Sequence, residues 1–477
     1  VAAYPDRLFS VGTNAIRTGN TGMKHCFYPL TLALSWQCDP LDTIRVADPK
    51  PFYGRDATNK RTITFTGTYS GSPVSWVYRL RRRTTGAVVK DWATFSQTAG
   101  AGSWSADISV NSGGPYLADF GWVGVDGKTR ITTSSPFAVG ILVCMWGQSN
   151  AVGGSGIGGT VGYGGNDLII GFNGYATYVG STFRRWMDEL TTTSLGYNPN
   201  MVGLAKSLSD ATGIPVGVAA TGVASNALAT LKPGTTNWNN VLVPFVTEIG
   251  GNVEQWVWSQ GEAEGLSSSG YSAYVTDFAS LVTGMRSIGG RSDAKVFVRI
   301  IGKDTSVSNN STTITRSQNF RSILKGLENG TDIFVSSSFI GIPLVDTIHA
   351  TSAGAVALAR RDGMTIARRG YSALAYDGRG PIVTGASRSD TIITLAVDLN
   401  GASGISGSSL TGYAVSNDDF ATTLTISSAT VTANQIVITL SSTPTGTVKV
   451  RSFREPNYTD SSLAVGAYPD SVTIPVF

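Results

Sequence analysis

Three residues that can act together in nucleophilic catalysis occur in the order Ser149, Asp346 and His349. Ser149 can act as the nucleophile, His349 as the base and Asp346 as the acid that orients the base. A serine needs a base to become nucleophilic at neutral pH, and the base needs a carboxylate to orient it. Ser149 lies in "MWGQSNAVG" directly after the apolar run "AVGILVC", and His349 lies three residues after Asp346 in "LVDTIHATSAG". A turn of this spacing can fold the carboxylate back onto Nδ1–H of the imidazole, so that Nε2 faces the serine.

Each of these signals has an ordinary structural explanation. A lone serine after a strand is more often a helix N-cap, and a lone histidine at the start of a helix is more often a satisfied core or surface residue. The chain has two histidines, His25 and His349, and only the second lies in the central part of the sequence. The combination and its order therefore favour a catalytic Ser149, Asp346 and His349 over three unrelated residues.

An ester-cleaving serine also needs hydrogen-bond donors for the oxyanion of its tetrahedral intermediate. The Ser149 backbone N–H is one candidate, and the small residues of "TGVASNAL" (221–228) are a second source of backbone donors. The side-chain amide of Gln260, in "WSQGEAEG", is a third. Gln260 and Glu262 have a simpler reading as residues that end a strand.

The elements that must position these residues are apolar strands alternating with helical patterns between residues 139 and 376. The strand-like runs are "AVGILVCMW", "IPVGVAAT", "VEQWVWS", "AKVFVRIIG" and "DIFVSSS". This alternation predicts an α/β fold with a three-layer, doubly wound parallel sheet, whose ligands bind beyond the carboxyl ends of the strands. Ser149, Ser225, Gln260 and the Asp346–His349 segment all follow strand ends, so we expect them on one rim.

The flanking regions have a different pattern. Residues 1–50 read as an irregular lead-in, and residues 51–138 contain short alternating strands separated by turn residues, which predicts an N-terminal all-β sandwich domain. Residues 377–477 repeat this style and predict a C-terminal all-β sandwich domain.

The motifs "GQSN", "WSQGEAE" and "DTIHATSAG" together resemble the SGNH hydrolase superfamily, in its sialate O-acetylesterase-like branch of carbohydrate acetylesterases, over roughly residues 139–370. The resemblance implies an SGNH or flavodoxin-like sheet, Ser149 as nucleophile, His349 as general base and then acid, and Asp346 as its orienter. Gln260 would replace the asparagine that supplies the side-chain oxyanion donor in other members of the superfamily.

Two departures from that family pattern bear on the site. "GVASN" replaces paired glycines, so the second backbone donor would come from Ala224 or Ser225, and Glu264 replaces an aspartate. Glu262, Ser225 and Asn150 are expected to support the triad or contact substrate.

Composition and spacing argue against several other classes. A net charge of +4 gives no case for nucleic acid; the run "VYRLRRRTTG" could grip a polyanion, but an exposed strand face is the favoured reading. No apolar run approaches the roughly 18 residues of a membrane helix, so no membrane partner is expected. No cysteine spacing resembles a zinc site, so no metal is expected, and no cofactor is expected either. Cys26 and Cys38 can pair in an oxidising compartment, whereas Cys144 reads as core.

The sequence therefore predicts a serine esterase that removes O-acetyl groups from a carbohydrate through an acetyl-serine intermediate. The alternatives are a lipase-like esterase on other acyl esters and a non-catalytic glycan-binding or phage tail protein. Abundant Gly, Ser and Thr with 14% charged residues fit a secreted, virion or cell-surface protein, either a homo-oligomer or part of a larger particle. Aromatic residues that could stack on sugars, although each is more often core, are Trp146, Tyr175, Tyr178, Trp186 and Trp238.

Overall fold

The structure is a computed structural model. It describes residues 42–98, 100–152, 169–173, 183–186, 199–266, 271–302, 311–339, 342–346, 348–400, 404–410, 413–418, 421–452 and 464–465. Most of the predicted lead-in lies outside these residues, as do His25, Cys26, Cys38, Tyr175 and Tyr178.

The N-terminal part of the described chain is built from β-strands: β1 (Ile44–Val46), β2 (Phe52–Gly54), β3 (Lys60–Tyr69), β4 (Pro73–Arg82), β5 (Val88–Phe95), β6 (Ser103–Asn111), β7 (Gly113–Gly124) and β8 (Thr129–Thr133). One sheet has the order β1-β3-β6, and β5, β4, β7 and β8 pair in that order in another. Burial alternates along β4 and β6, as expected for strands with one face against a core. Aromatic rings from both sheets meet in that core; the Phe65 and Phe120 centroids, for example, lie 4.8 Å apart.

The next strand, β9 (Phe137–Gly147), is buried along its whole length and joins this region to the rest of the chain. Near its start it pairs with β7 and with β2, and from Ile141 onward it lies in a parallel sheet. The predicted domain boundary between residues 138 and 139 therefore falls inside one continuous strand. The sequence could not show this, because an apolar run does not reveal which neighbours a strand has at each end.

The central part alternates strands with helices: β10 (Ile169–Asn173), β11 (Phe183–Trp186), α1 (Pro199–Thr212), β12 (Val216–Ala220), α2 (Val243–Ile249), β13 (Gln255–Ser259), α3 (Glu262–Leu266), α4 (Tyr271–Gly289), β14 (Lys295–Ile300), α5 (Ser311–Gly326), β15 (Ile333–Ser338) and α6 (Ser352–Tyr371). The parallel strands have the order β10-β12-β9-β13-β14-β15, and β11 is antiparallel at the edge. The five runs predicted as strands are β9, β12, β13, β14 and β15. In the sheet they lie in the order β12-β9-β13-β14-β15, so that numbered along the chain their order is 2-1-3-4-5. This order is the flavodoxin-like one.

Helices cover both faces of the parallel sheet, which explains why its strands are apolar without alternation. Leu142, Cys144 and Trp146 of β9 face a core shared with α2, α4 and α5. Ile141, Val143 and Met145 face the core under α1 and α6. The central region is therefore a mixed α/β structure of three layers. Among the described residues, no helix combines the length and apolarity needed to cross a membrane.

The C-terminal part consists of β16 (Ile382–Ser389), β17 (Ile392–Asp398), β18 (Ile405–Ser406), β19 (Tyr413–Ser416), β20 (Ile426–Thr432), β21 (Gln435–Leu440), β22 (Lys449–Ser452) and β23 (Ala464–Val465). Four of these strands form the antiparallel sheet β16-β17-β21-β20, while β19 pairs with β22 and β18 with β23. The residues before β16 still belong to the central region, since buried Asp377 bonds Arg369 of α6 and Gly378 N–H bonds Thr365.

Candidate active site

The turn that carries Ser149 begins where β9 meets the end of β13. A Cβ on Gly147 would lie 1.9 Å from the Ser259 carbonyl oxygen, so the close approach of these strand ends requires glycine. The backbone N–H of Gln148 donates to the same carbonyl at 3.0 Å, and Ala151 N–H closes the turn onto Gln148 at 2.8 Å. Ser149 is left half-buried at the carboxyl edge of the sheet.

His349 joins Ser149 and Asp346 in one chain of hydrogen bonds. Nε2 of His349 lies 2.8 Å from Ser149 Oγ, and Nδ1 lies 2.6 Å from Asp346 Oδ2. The other carboxylate oxygen of Asp346 accepts the backbone N–H groups of Ile348 and His349 at 2.9 and 2.7 Å. The carboxylate is thus folded back as its three-residue spacing predicts. With Nδ1–H donating to Asp346, Nε2 can accept the proton of the serine hydroxyl.

Asn150 and Glu262 connect the turn that carries Ser149 to the segment that carries His349. Asn150 Nδ2 donates to Glu262 Oε1 at 2.7 Å and to the Ile348 carbonyl at 3.1 Å, and the Asn150 side-chain oxygen accepts Ala350 N–H at 3.4 Å. Both side chains are buried, so they brace the site from behind and do not line its surface.

The environment of Glu262 favours its protonated form. Burial raises the pKa of the Glu262 carboxyl, and the hydrogen bond from Asn150 opposes this shift. Glu262 Oε2 has no hydrogen-bond partner among the described residues. Burial also raises the pKa of Glu264, against hydrogen bonds from Leu228 N–H and Gln260.

The loop after β12 passes beside the turn that carries Ser149. Val223 N–H donates to the Gly147 carbonyl at 3.0 Å, and a Cβ on Gly222 would lie 2.6 Å from that oxygen. Ala224 and Ser225 follow and are exposed, with Ser225 in the left-handed region at a φ of 59°. In the part of the chain that the structure describes, no acceptor bonds the backbone N–H of Ser149 or of Ala224. These two groups are available as donors to an oxyanion.

Gln260 is not placed as the oxyanion prediction requires. Its amide donates to Glu264 and to the Asn226 carbonyl, the latter at 3.2 Å, and its oxygen accepts the Tyr274 hydroxyl at 3.0 Å. Both amide hydrogens are used, and the side chain is buried. The physical reason is the carboxylate of Glu264, four residues later in the chain. It accepts the amide hydrogen of Gln260 that would otherwise be available to an oxyanion.

Three supporting residues carried little signal in the sequence. Gln148 Oε1 accepts the N–H groups of Gly261 and Ala263 at 3.3 and 3.4 Å, which fixes the start of α3. Asn226 Nδ2 donates to the Ala224 carbonyl at 2.7 Å. Tyr274 occupies an apolar position of the α4 repeat. From the sequence, a tyrosine whose hydroxyl has a hydrogen-bond partner cannot be distinguished there from an ordinary aromatic core residue.

The two aromatic candidates whose side chains are described are core residues. Trp146 and Trp238 are 0% and 4% exposed, and Trp146 Nε1 donates to the Leu231 carbonyl. Neither can stack on a sugar, and both have the core position that the sequence analysis gave as the alternative. The side chain of Trp186 lies outside what the structure describes.

Comparisons with known proteins include a fold match with a TM-score above 0.5. No protein-family model and no curated protein matches the sequence. A carbohydrate acetylesterase from Xanthomonas citri shares the fold at a TM-score of 0.60 and 16% identity, over 90% of this chain and 98% of that one. A protein from Arabidopsis thaliana (16% identity, 47% and 96% of the two chains) and a family two carbohydrate esterase from Clostridium thermocellum (12%, 69% and 100%) have TM-scores of 0.36 and 0.30, too low to establish a shared fold.

Proposed function

We propose that the protein is a serine esterase that removes O-acetyl groups from a carbohydrate. The observation that carries the proposal is the continuous path Ser149 Oγ, His349 Nε2, His349 Nδ1 and Asp346 Oδ2, with contacts of 2.8 and 2.6 Å, at the carboxyl edge of a parallel sheet. A hydroxyl, an imidazole and a carboxylate in this geometry are what nucleophilic acyl transfer requires.

In the first half-reaction, His349 Nε2 takes the hydroxyl proton as Ser149 Oγ attacks the acetyl carbonyl carbon. The negative charge on the carbonyl oxygen is stabilised by the backbone N–H groups of Ser149 and Ala224. The C–O bond to the sugar then breaks, His349 returns its proton to the sugar oxygen, and acetyl-Ser149 remains. In the second half-reaction, His349 takes a proton from the water that attacks the acyl carbon. The bond from the acyl carbon to Ser149 Oγ then breaks, His349 returns the proton to Ser149 Oγ, and acetate is released.

The choice of an acetylated carbohydrate is supported by the motif resemblance and by the fold shared with a carbohydrate acetylesterase. The strands before β9 and after α6 would then be accessory β-sandwich domains that bind the glycan or attach the enzyme to a particle. A secreted, virion or cell-surface location and an acetylated glycan partner are part of the same proposal.

The test compares acyl chain lengths and then measures acetate released from acetylated polysaccharides. With p-nitrophenyl acetate, butyrate and octanoate, kcat/KM is expected to fall steeply from acetyl to butyryl. A rise with chain length would refute the acetyl preference and favour a lipase-like esterase. No hydrolysis of any of these esters or polysaccharides would favour a non-catalytic glycan-binding or tail protein.

A further inference from the structure

A cleft opens between the two N-terminal sheets, far in sequence from the triad. Its volume is about 380 Å³, within the range of about 300–1,000 Å³ that is usual for small-ligand sites. The lining residues come from five strands and are Lys60, Leu80, Val89, Lys90, Ser109, Val110, Asn111 and Tyr116.

The charge of this cleft is positive and uncompensated. Lys60 and Lys90 line it and no carboxylate does, and within the described chain no acidic side chain forms an ion pair with either ammonium. Lys90 Nζ lies 5.7 Å from the centroid of the Tyr78 ring, a cation–π contact with a ring that neighbours the cleft lining. The guanidinium of Arg82 lies 5.2 Å from the centroid of the Tyr116 ring and adds a third positive charge nearby.

Other basic residues of the same region are already used. Arg79 and Arg81, which the sequence offered as a polyanion grip, both bond Asp119 at 2.6 Å, and Arg130 bonds Asp42 and Asp126. The two cleft lysines therefore differ from Arg79, Arg81 and Arg130, because they line a cavity and have no carboxylate partner within the described chain. Lysines that line a cavity without a carboxylate partner can bind an anionic ligand.

The remaining lining adds polar groups and little apolar surface. Ser109 and Asn111 add the polar groups, whereas Leu80, Val110 and Tyr116 are only 1–3% exposed. We propose that this cleft binds a carboxylate-bearing sugar unit, so that the glycan held by the protein is acidic. The choice of a sugar acid over another anion depends on the proposed esterase function; the positive, unpaired character of the cleft does not.

The experiment is calorimetric titration of the full chain with trigalacturonate, using fully methyl-esterified trigalacturonate as the uncharged match. We expect binding of the acid and at least about tenfold weaker binding of the ester, because the charge-assisted hydrogen bonds are lost. The double variant K60Q/K90Q should bind trigalacturonate as weakly as the wild type binds the methyl ester. The control K128Q/K206Q removes the same two charges from lysines that pair with Asp126 and Asp210 and should bind like the wild type.

Three results would overturn the proposal: no binding of trigalacturonate by the wild type, equal weakening in both double variants, or equally tight binding of tripolyphosphate, which would mean a bare anion site. Hydrolysis of p-nitrophenyl acetate is followed in parallel and should be the same in wild type and both variants. An active enzyme that does not bind the sugar acid would end this inference alone, whereas an inactive enzyme that binds it would end the proposed esterase alone.

Discussion

The conformation of the exposed loop beside Ser149 should depend on Asn226. Asn226 Nδ2 holds the carbonyl of Ala224 at 2.7 Å, and its Oδ1 accepts hydrogen bonds from Thr230 and Asn237 at 2.8 and 3.0 Å. The substitution Asn226→Asp keeps the shape and the acceptor side of this residue. It replaces the donor to Ala224 by a carboxylate oxygen, which repels the carbonyl.

The magnitude follows from the strain in the loop. A left-handed backbone at a non-glycine residue such as Ser225 costs about 1–2 kcal/mol, and the bond from Asn226 is worth about 1 kcal/mol. Losing the bond and gaining repulsion should shift the loop away from its donor geometry by about 2 kcal/mol, or about 30-fold in kcat. Complete loss of an oxyanion donor costs about 10²- to 10³-fold, which sets the upper limit.

The assay is steady-state hydrolysis of p-nitrophenyl acetate by wild type, N226D and the double variant S225G/N226D. We expect kcat to fall and KM to change little, because the Ala224 N–H bonds an oxyanion that exists only in the transition state. Glycine at 225 removes the left-handed strain and should restore part of kcat. Unchanged kcat in N226D, or an equal change in KM, would refute the role assigned to this loop.

Three further predictions concern the body of the protein. D362A should lower the free energy of unfolding in urea by about 3–5 kcal/mol, because it leaves Arg299 buried without its carboxylate; D210A, in an exposed pair, should change it by less than about 1 kcal/mol, and equal losses would contradict this. Burial raises the pKa of the Cys144 thiol, so iodoacetamide should label Cys144 only in denaturant, and labelling of Cys144 in the native protein, located by peptide mapping, would disprove the buried position. Because the pKa of Glu262 is raised, its contribution to stability is full below the unfolded value of 4.5 and is lost as pH rises through the folded pKa. The free energy of unfolding of E262Q should therefore increase relative to that of wild type as pH rises above 4.5, and a difference that is constant with pH would refute this.

The strands and the contacts of His349 with Ser149 and Asp346 could be predicted from the sequence because their signals are local. The apolar run before Ser149, the turn residues after it and the three-residue spacing of Asp346 and His349 each specify short-range geometry. Parallel strands place their carboxyl ends on one edge, so residues far apart in sequence, Ser149 and His349, were expected to meet.

The support of the site could not be read in the same way. The hydrogen bonds of Gln260 depend on competition among Glu264, Tyr274 and the Asn226 carbonyl, and nothing in residue type decides which partner wins. The shared strand β9 was missed for a related reason, since an apolar run has no mark at the point where one set of neighbours replaces another. The cleft lysines became visible only when their neighbours' ion pairs were known.

The most direct test of the central claim is p-nitrophenyl acetate hydrolysis by wild type, S149A and the control S225A under identical conditions. Loss of Ser149 should lower kcat by several orders of magnitude, as in other serine triads, whereas S225A keeps the backbone donors and should retain most activity. A rapid-quench experiment on the wild type should also trap an acyl group on Ser149. Equal rates in wild type and S149A would contradict the account, and the turn after β9 would then be only a turn.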